Sequence, residues 1–319
     1  MTVSIVIPVK DGGEDLERCL GAIAGQRLSD GQQAELVVVD SGSSDGSVAL
    51  ARSHGALVHE IPPEEFSHGH SRNLGASLSS GDLLVFISQD ATPLGEDWLE
   101  RLTAPLRERP EVAGVYGRQI ANDDATPPER YFLDFLYGPR PRTQRAASVA
   151  ELSMDTTLFS NANSAIRRAL WERFPFVEDI IMSEDQDWSR RALLDGWTIV
   201  YEPRAAVRHS HAYTLSSAFK RFFDSGASAD RAYLAGQRDS SRVLRRAAIR
   251  YARGEIGWLV RSGQLRWIPY TVLYELTKMA GLLIGARHER LPPALRRRLS
   301  GLPSFWEQPA GPGDRRAVR

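Results

Sequence analysis

A chain of 319 residues, 42% apolar and 25% charged, has an ordinary globular composition and a two-domain length, which excludes collagen and wholesale disorder. Its one cysteine, Cys19, excludes a disulfide framework and a cysteine-built zinc or iron–sulfur centre, and fits a reducing compartment. The 40 basic and 40 acidic residues cancel to a net charge of 0, which by itself argues against nucleic acid or anionic lipid as a partner.

The first run, Val3–Val9 (VSIVIPV), follows directly on Met1, so no secretory leader is expected. Short, β-branched and apolar, it predicts a strand buried on both faces and stopped by Pro8. Leu16, Cys19, Leu20 and Ile23 recur at i, i+3, i+4 and i+7, one apolar helix face that places Cys19 in the core. Leu36–Asp40 predicts a second buried strand, Ser47–His54 a short helix and Leu57–Ile61 a third strand. Ser71–Ser79 predicts a helix closed by Gly81, and Leu83–Ser88 a fourth strand. This alternation predicts an α/β fold, a mostly parallel Rossmann-like sheet flanked by helices.

Regularity fails after Leu106. Pro127, Pro128, Pro139 and Pro141 mark loops, and Gly138–Arg145 reads as exposed and mobile. The aromatic run Tyr131–Tyr137 reads as core, with an acceptor platform or lid as its other reading. Helical pieces are expected at Ser164–Arg173 and at Glu184–Leu194, the second with Ser183 in the N-cap position. A strand is expected at Thr198–Tyr201 and helix from about Ser216 onward.

The zero net charge hides an asymmetry. Residues 231–319 hold 18 Arg plus Lys against 6 Asp plus Glu, whereas residues 1–230 hold 22 against 34. In this basic part Leu244, Ala248, Tyr251, Ala252, Ile256 and Leu259 fall on one helical stripe, with Arg242, Arg246, Arg250 and Arg253 opposite. Such a helix is either the solvated face of a helical subdomain or a membrane-surface contact. Ile268–Ala286 is apolar, but Pro269, Glu275 and Lys278 mark a buried or interfacial helix rather than a span.

In open α/β sheets ligands bind beyond the carboxyl ends of the strands. Lys10 and Asp11, the loop Asp40–Gly46, and Ser88-Gln89-Asp90 are therefore expected to converge on one cleft. Carboxylates gathered there suit a nucleoside hydrogen bond and a hard divalent cation bridging a diphosphate. Gly42-Ser43-Ser44-Asp45-Gly46 also matches the G-x-S-x-G elbow of hydrolases, but it comes after too few strands and lacks an oxyanion loop before it. Two His-x-His pairs, His68/His70 and His209/His211, would each put both rings on one face of a strand, as zinc sites require. A single histidine beside a metal held by Asp90 and phosphates is the reading preferred here. The acid pair Glu184-Asp185 serves either the helix dipole or a cleft as a base.

Together Ser4–Val9, Val37–Asp45, Gly69–Ala76, Phe86–Ala91 with Trp98-Leu99, Asn163–Arg168 and Ser183–Trp188 resemble the inverting family 2 glycosyltransferases of the GT-A fold. Phe66–Ala76, Ser88–Ala91 and Ser183–His211 resemble the rhamnosyltransferase-like branch. The resemblance implies a catalytic domain over residues 1–225 and a basic, mainly helical extension over 226–319 with a disordered end. It implies that Pro8, Asp11, Asp40, Asp45, Arg72 and Gln89 hold the nucleotide diphosphate. Ser88 replaces the first acid of the family's Asp-x-Asp motif, so Asp90 is expected to hold Mg2+ or Mn2+, with His209 beside it and His211 as fallback. Asp185 corresponds to the catalytic base, with Glu184 next to it.

The expected reaction moves a sugar, L-rhamnose from dTDP-L-rhamnose first among candidates, to a saccharide or lipid-linked saccharide hydroxyl in cell-surface polysaccharide synthesis. A UDP-hexose or UDP-GlcNAc donor is an alternative, as is a non-catalytic nucleotide-sugar-binding protein. No nucleic-acid partner is expected. The implied location is cytoplasmic, with the basic helices offered to the inner face of the membrane.

Overall fold

A computed structural model describes residues 1–28, 33–232 and 240–307, with backbone alone for 230 and 240–247. In chain order, the first wing comprises β1 (Val3–Val9), α1 (Gly13–Ala24), β2 (Glu35–Asp40), α2 (Ser47–Ser53), β3 (Leu57–Glu60), α3 (His68–Leu78) and β4 (Leu83–Ile87). Then come β5 (Thr92–Pro93), α4 (Trp98–Glu108), β6 (Val112–Ile120), α5 (Pro127–Leu136), β7 (Arg142–Gln144), β8 (Asn163–Arg167), α6 (Arg168–Arg173), α7 (Glu184–Leu194) and β9 (Thr198–Arg208). The helices α8 (Leu215–Ala232), α9 (Ser240–Arg261), α10 (Ile268–Gly285) and α11 (Pro293–Leu299) follow.

The described strands join one sheet in the order β3-β2-β1-β4-β8-β6-β9-β5, with β7 added on β9. The first four strands are mutually parallel. β8 runs antiparallel between β4 and β6, and β9 returns parallel to β6. Side chains alternate along β1, so Val3, Ile5, Ile7 and Val9 enter one core cluster with Leu16, Cys19 and Trp98, while Val6 enters the other with Phe86, Tyr116 and Trp188. Both sheet faces are covered, which is why the parallel strands read as unbroken apolar runs. Cys19 lies in the first cluster, and burial pushes its thiol up to about 12, so it packs rather than reacts.

The middle of the chain departs from expectation. Ser164–Arg167 is not helical but belongs to β8, with Ser164 paired to Phe86 and Tyr116. Pairing on both sides overrides the local helical pattern. β6 carries two glycines because its neighbours come close. A Cβ on Gly114 would lie 2.9 Å from Trp188 Cζ3, and one on Gly117 2.0 Å from Ala205 O. The segment read as a mobile loop contains β7, with the Arg142 guanidinium 4.6 Å over the Tyr201 ring. Pro127 and Pro128 open α5, where a missing N–H costs nothing.

The aromatic run is largely α5. Leu133 and Tyr137 enter the core, while Tyr131 and Phe135 meet Tyr251 of α9 at ring distances of 5.3 and 5.1 Å. α8 runs through position 225, the expected domain boundary, and packs on α10 and α7. Phe305 and Trp306 return to pack with Ile181 and Met182. Tyr251 and Leu259 of the basic helix face inward; Leu244, Arg242 and Arg246 and the end segment 308–319 lie outside the described side chains.

Candidate active site

The strand directions gather the chemistry on one sheet edge. β1, β2 and β4 end there at Val9, Asp40 and Ile87, and β8 begins there, because Asn163 pairs with Ile87. β6 and β9 also finish on that side, with Arg208 opposite Ile120, so His209 and His211 emerge beside the loop after β4.

The loops after β1, β2 and β4 form one hydrogen-bonded collar. Lys10 N–H donates to Gln89 Oε1 at 2.8 Å, and Gln89 Nε2 donates to Lys10 O at 3.0 Å. Asp11 Oδ1 accepts from Ser44 N–H at 2.8 Å, and Asp45 Oδ2 from Gly13 N–H at 2.9 Å. Buried Asp40 turns its own loop, its Oδ2 accepting from Gly42 and Ser43 N–H at 3.0 and 2.9 Å. Gly42 and Gly46 supply φ of 83° and 90° in this turn. Ser44 Oγ donates to Asp11 Oδ1 at 3.2 Å, so the G-x-S-x-G match is a turn inside the collar. Pro8 lies within β1 opposite Val39 and does not stop the strand, which continues to Val9 opposite Asp40. Asp11 and Ser183 are the non-glycine residues at positive φ among those described, at 44° and 67°, and each adjoins this edge. Such strain persists where the surroundings over-determine it, as at functional sites.

Asp90, His209 and His211 form a compact cluster whose ligand atoms all lie within 4.8 Å of one another. His209 Nε2 is 3.3 Å from Asp90 Oδ1, and His211 Nδ1 is 3.5 Å from Asp90 Oδ2. Burial raises Asp90, but the hydrogen bond and charge of His209, aided by His211, overcome it and hold the carboxyl at about 2. Burial, then His209, pulls His211 down to about 4, which keeps it neutral and free to ligate.

Gln119 decides how His209 faces. Its Nε2 donates to Ser160 Oγ at 2.9 Å, so its Oε1 accepts from His209 Nδ1 at 2.8 Å. His209 Nε2 is then left facing a carboxylate oxygen, an arrangement satisfied by a proton or a cation between the two. One carboxylate and two imidazoles oriented this way fit a divalent metal that also takes phosphate oxygens. His68 and His70 do not form a second such site. They open α3, on a helix rather than a strand, and His70 Nδ1 lies 3.1 Å from Glu178.

The acid pair opens α7. Glu184 is buried against Arg72 of α3 at 2.8 Å, and it accepts from Asn161 Nδ2 at 3.3 Å. Burial alone raises Glu184, but Arg72 and then His68 reverse this and hold it below the ordinary carboxylate range. Asp185 accepts from Asn161 N–H at 3.0 Å and from Gln186 N–H at 2.8 Å. Burial, then the charge of Glu184, pushes Asp185 up to about 7, the value a base working near neutrality needs. Ser183 occupies the N-cap position in the left-handed region and makes no side-chain cap, while its carbonyl accepts from Asp187 N–H at 3.1 Å.

The structure therefore seats Arg72 with the acid pair rather than with the Asp40–Asp45 loop. Gln119, Ser160 and Asn161 were not anticipated. Asn161 and Ser160 hold Asp185 and Gln119 from adjacent positions, so one short segment joins the acid pair to the histidine cluster. The polar run Ser160–Ser164, interrupted by Ala162, is the sequence signal that could have marked this segment.

A hydrogen-bonded loop collar, a carboxylate–imidazole cluster and a raised carboxyl lie together on one edge of a sheet of GT-A glycosyltransferase architecture. Residues 4–174 match the family model "Glycosyl transferase family 2", and the chain belongs to that family as a glycosyltransferase. The O-antigen chain rhamnosyltransferase RfbN of Salmonella typhimurium is 30% identical over 310 residues, covering 96% of each chain. The O-antigen chain rhamnosyltransferase WbaN of Salmonella anatum is 32% identical over 278 residues, covering 86% of this chain and 87% of its own. Among solved structures, the mannosyltransferase PcManGT from Pyrobaculum calidifontis, in complex with GDP-Man and Mn2+, superposes with a TM-score of 0.57 at 18% identity, covering 96% of this chain and 84% of that one. TarS 1–349 from S. aureus, in complex with UDP, superposes with a TM-score of 0.52 at 15% identity, covering 91% of each chain. These likenesses establish the fold. Family membership and these relatives support a glycosyltransferase over a non-catalytic binding protein.

Proposed function

We propose that this glycosyltransferase moves L-rhamnose from a nucleoside diphosphate donor, dTDP-L-rhamnose first, onto a hydroxyl of a saccharide or lipid-linked saccharide, with inversion. Support for the sugar comes from two O-antigen rhamnosyltransferases at about one-third identity along most of the chain. Support for the chemistry is the pairing of Asp185, raised to about 7, with the Asp90/His209/His211 cluster through Ser160 and Asn161. That pairing is the observation that carries the reading.

In this mechanism the collar of Asp11, Asp40, Asp45 and Gln89 receives the nucleoside side of the donor. Asp90, His209 and His211 would hold a divalent cation, Mg2+ or Mn2+, which when bound would offset charge on the departing diphosphate. Asp185 takes the proton from the acceptor hydroxyl as its oxygen attacks the anomeric carbon from the face opposite the diphosphate. The new glycosidic bond forms as the sugar–phosphate bond breaks, and the diphosphate leaves with the bonding pair. Glu184, kept ionised by Arg72, holds Asp185 at a basicity that matches the task. A single displacement needs one base and inverts the anomeric centre.

The test is a thermal-shift screen of dTDP, UDP and GDP with Mn2+, followed by turnover of the matching sugar nucleotide and anomer assignment by NMR. A shift with dTDP and an inverted rhamnoside are expected. Stabilisation by UDP alone moves the donor to UDP-hexose or UDP-GlcNAc. Retention of configuration overturns the single displacement.

A further inference from the structure

Helix α10 is built inside out. Its face toward α8 buries Thr271, Lys278, Gly281 and Gly285. The two backbones touch there: a Cβ on Gly281 would lie 2.5 Å from Phe219 O, and one on Gly285 2.0 Å from Phe223 O. Lys278 pairs with Glu275 at 2.6 Å, with its ammonium 4.8 Å from the rings of Phe132 and Tyr251. The outward face instead shows Val272, Leu273, Leu276 and Ile284 at 47%, 50%, 63% and 37% exposure. Pro269 and Ala280 are exposed on the same stripe, and Val260 of α9 and Leu265 in the turn before α10 are also exposed, at 53% and 57%.

Water-facing helices carry the reverse order, apolar inward and polar outward. Small residues at helix contacts with large apolar residues outward is the order of helices that face lipid. No helix among the described residues is long and apolar enough to cross a membrane, so the stripe suits lying along a surface. Exposed arginines stand at both ends, Arg261 and Arg266 at one and Arg287 and Arg290 at the other. A second copy laid antiparallel across the stripe would set arginines against arginines. Anionic headgroups meet them favourably.

We propose that the outward stripe of α10 docks this enzyme on an anionic phospholipid surface, its leucines entering the headgroup boundary and its terminal arginines meeting phosphates. For its purpose this rests on the lipid-linked acceptor of the proposed function; for its geometry it rests on α10 alone. The sequence offered such a contact for the basic helix α9 as one of two readings, and the structure turns Tyr251 and Leu259 of its apolar stripe inward.

The experiment is cosedimentation of the full chain with vesicles of phosphatidylcholine containing about one-quarter phosphatidylglycerol, against pure phosphatidylcholine. Wild type should bind the anionic vesicles, and added salt should weaken binding. Leu273→Glu/Leu276→Glu should lose roughly tenfold or more in partitioning. Leu273→Ser/Leu276→Ser should lose less, and both variants should keep wild-type melting and diphosphate binding. Equal sedimentation of the glutamate variant and wild type overturns the proposal. So does a wild-type dimer that ignores vesicles and falls to monomer in the variant. Diphosphate binding is read on the same samples, so failure of docking and failure of the donor reading are told apart.

Discussion

Gln119 Oε1 and His209 Nδ1 lie 2.8 Å apart, although 90 residues separate them, and this one contact turns His209 Nε2 toward Asp90. Removing an outer partner of a metal-binding histidine typically costs about 10- to 100-fold in metal affinity. Gln119→Leu should weaken Mn2+ binding by that order in titration calorimetry, with the diphosphate present, while melting stays near wild type. Unchanged Mn2+ affinity would show that His209 needs no such orientation.

Asp90→Ala removes the one carboxylate of the cluster. Diphosphate affinity should then lose its dependence on Mn2+ and become equal with metal or with chelator. A variant whose diphosphate affinity still rises with Mn2+ rules Asp90 out as a ligand.

Asp185→Asn keeps the side chain's shape but cannot take a proton. Turnover should fall by about 10²- to 10⁴-fold, the usual contribution of a positioned base, while diphosphate binding stays within about twofold. Near-wild-type turnover would place the base elsewhere.

The charge of Glu184 contributes to the raised pKa of Asp185. A base works deprotonated, so kcat/KM of wild type should rise with pH through about 7. Glu184→Gln removes the like charge, and the rise should move to lower pH. The same change leaves Arg72 buried without its counter-ion, so stability should drop by roughly 3 kcal/mol in urea melts. A profile that does not move separates the two carboxyls.

Glu255 of α9 is fully buried, and burial followed by the charge of Glu275 pushes it up to about 8. A carboxyl raised in the folded state binds more protons folded than unfolded between its unfolded and folded pKa values. Stability therefore falls as pH rises from about 4.5 to about 8. Wild type should melt several degrees lower at about pH 9 than at about pH 6, and Glu255→Gln should flatten that difference.

Much of the first wing was legible locally. β1 has the bounds that the run Val3–Val9 predicts, and α7 those of Glu184–Leu194. The middle of the sheet was not legible: β6 breaks its apolar run with Gly114 and Gly117, and the start of β8 carries a helical pattern. Their strand state comes from partners tens of residues away, and pairing at that distance leaves no local period.

The sequence by itself determined the parallel wing and the core place of Cys19, because burial on both faces and helix periodicity are written in neighbouring residues, and it named the acids and histidines to which the proposed chemistry is assigned. Only the tertiary structure decided how those groups act. Arg72 meets Glu184 across 112 positions, and Gln119 meets His209 across 90. Charge and orientation at the site are properties of such distant pairs. The same holds for α10: its composition alone marks an apolar helix, but only contact with α8 decides which face is hidden and which is left to meet a surface.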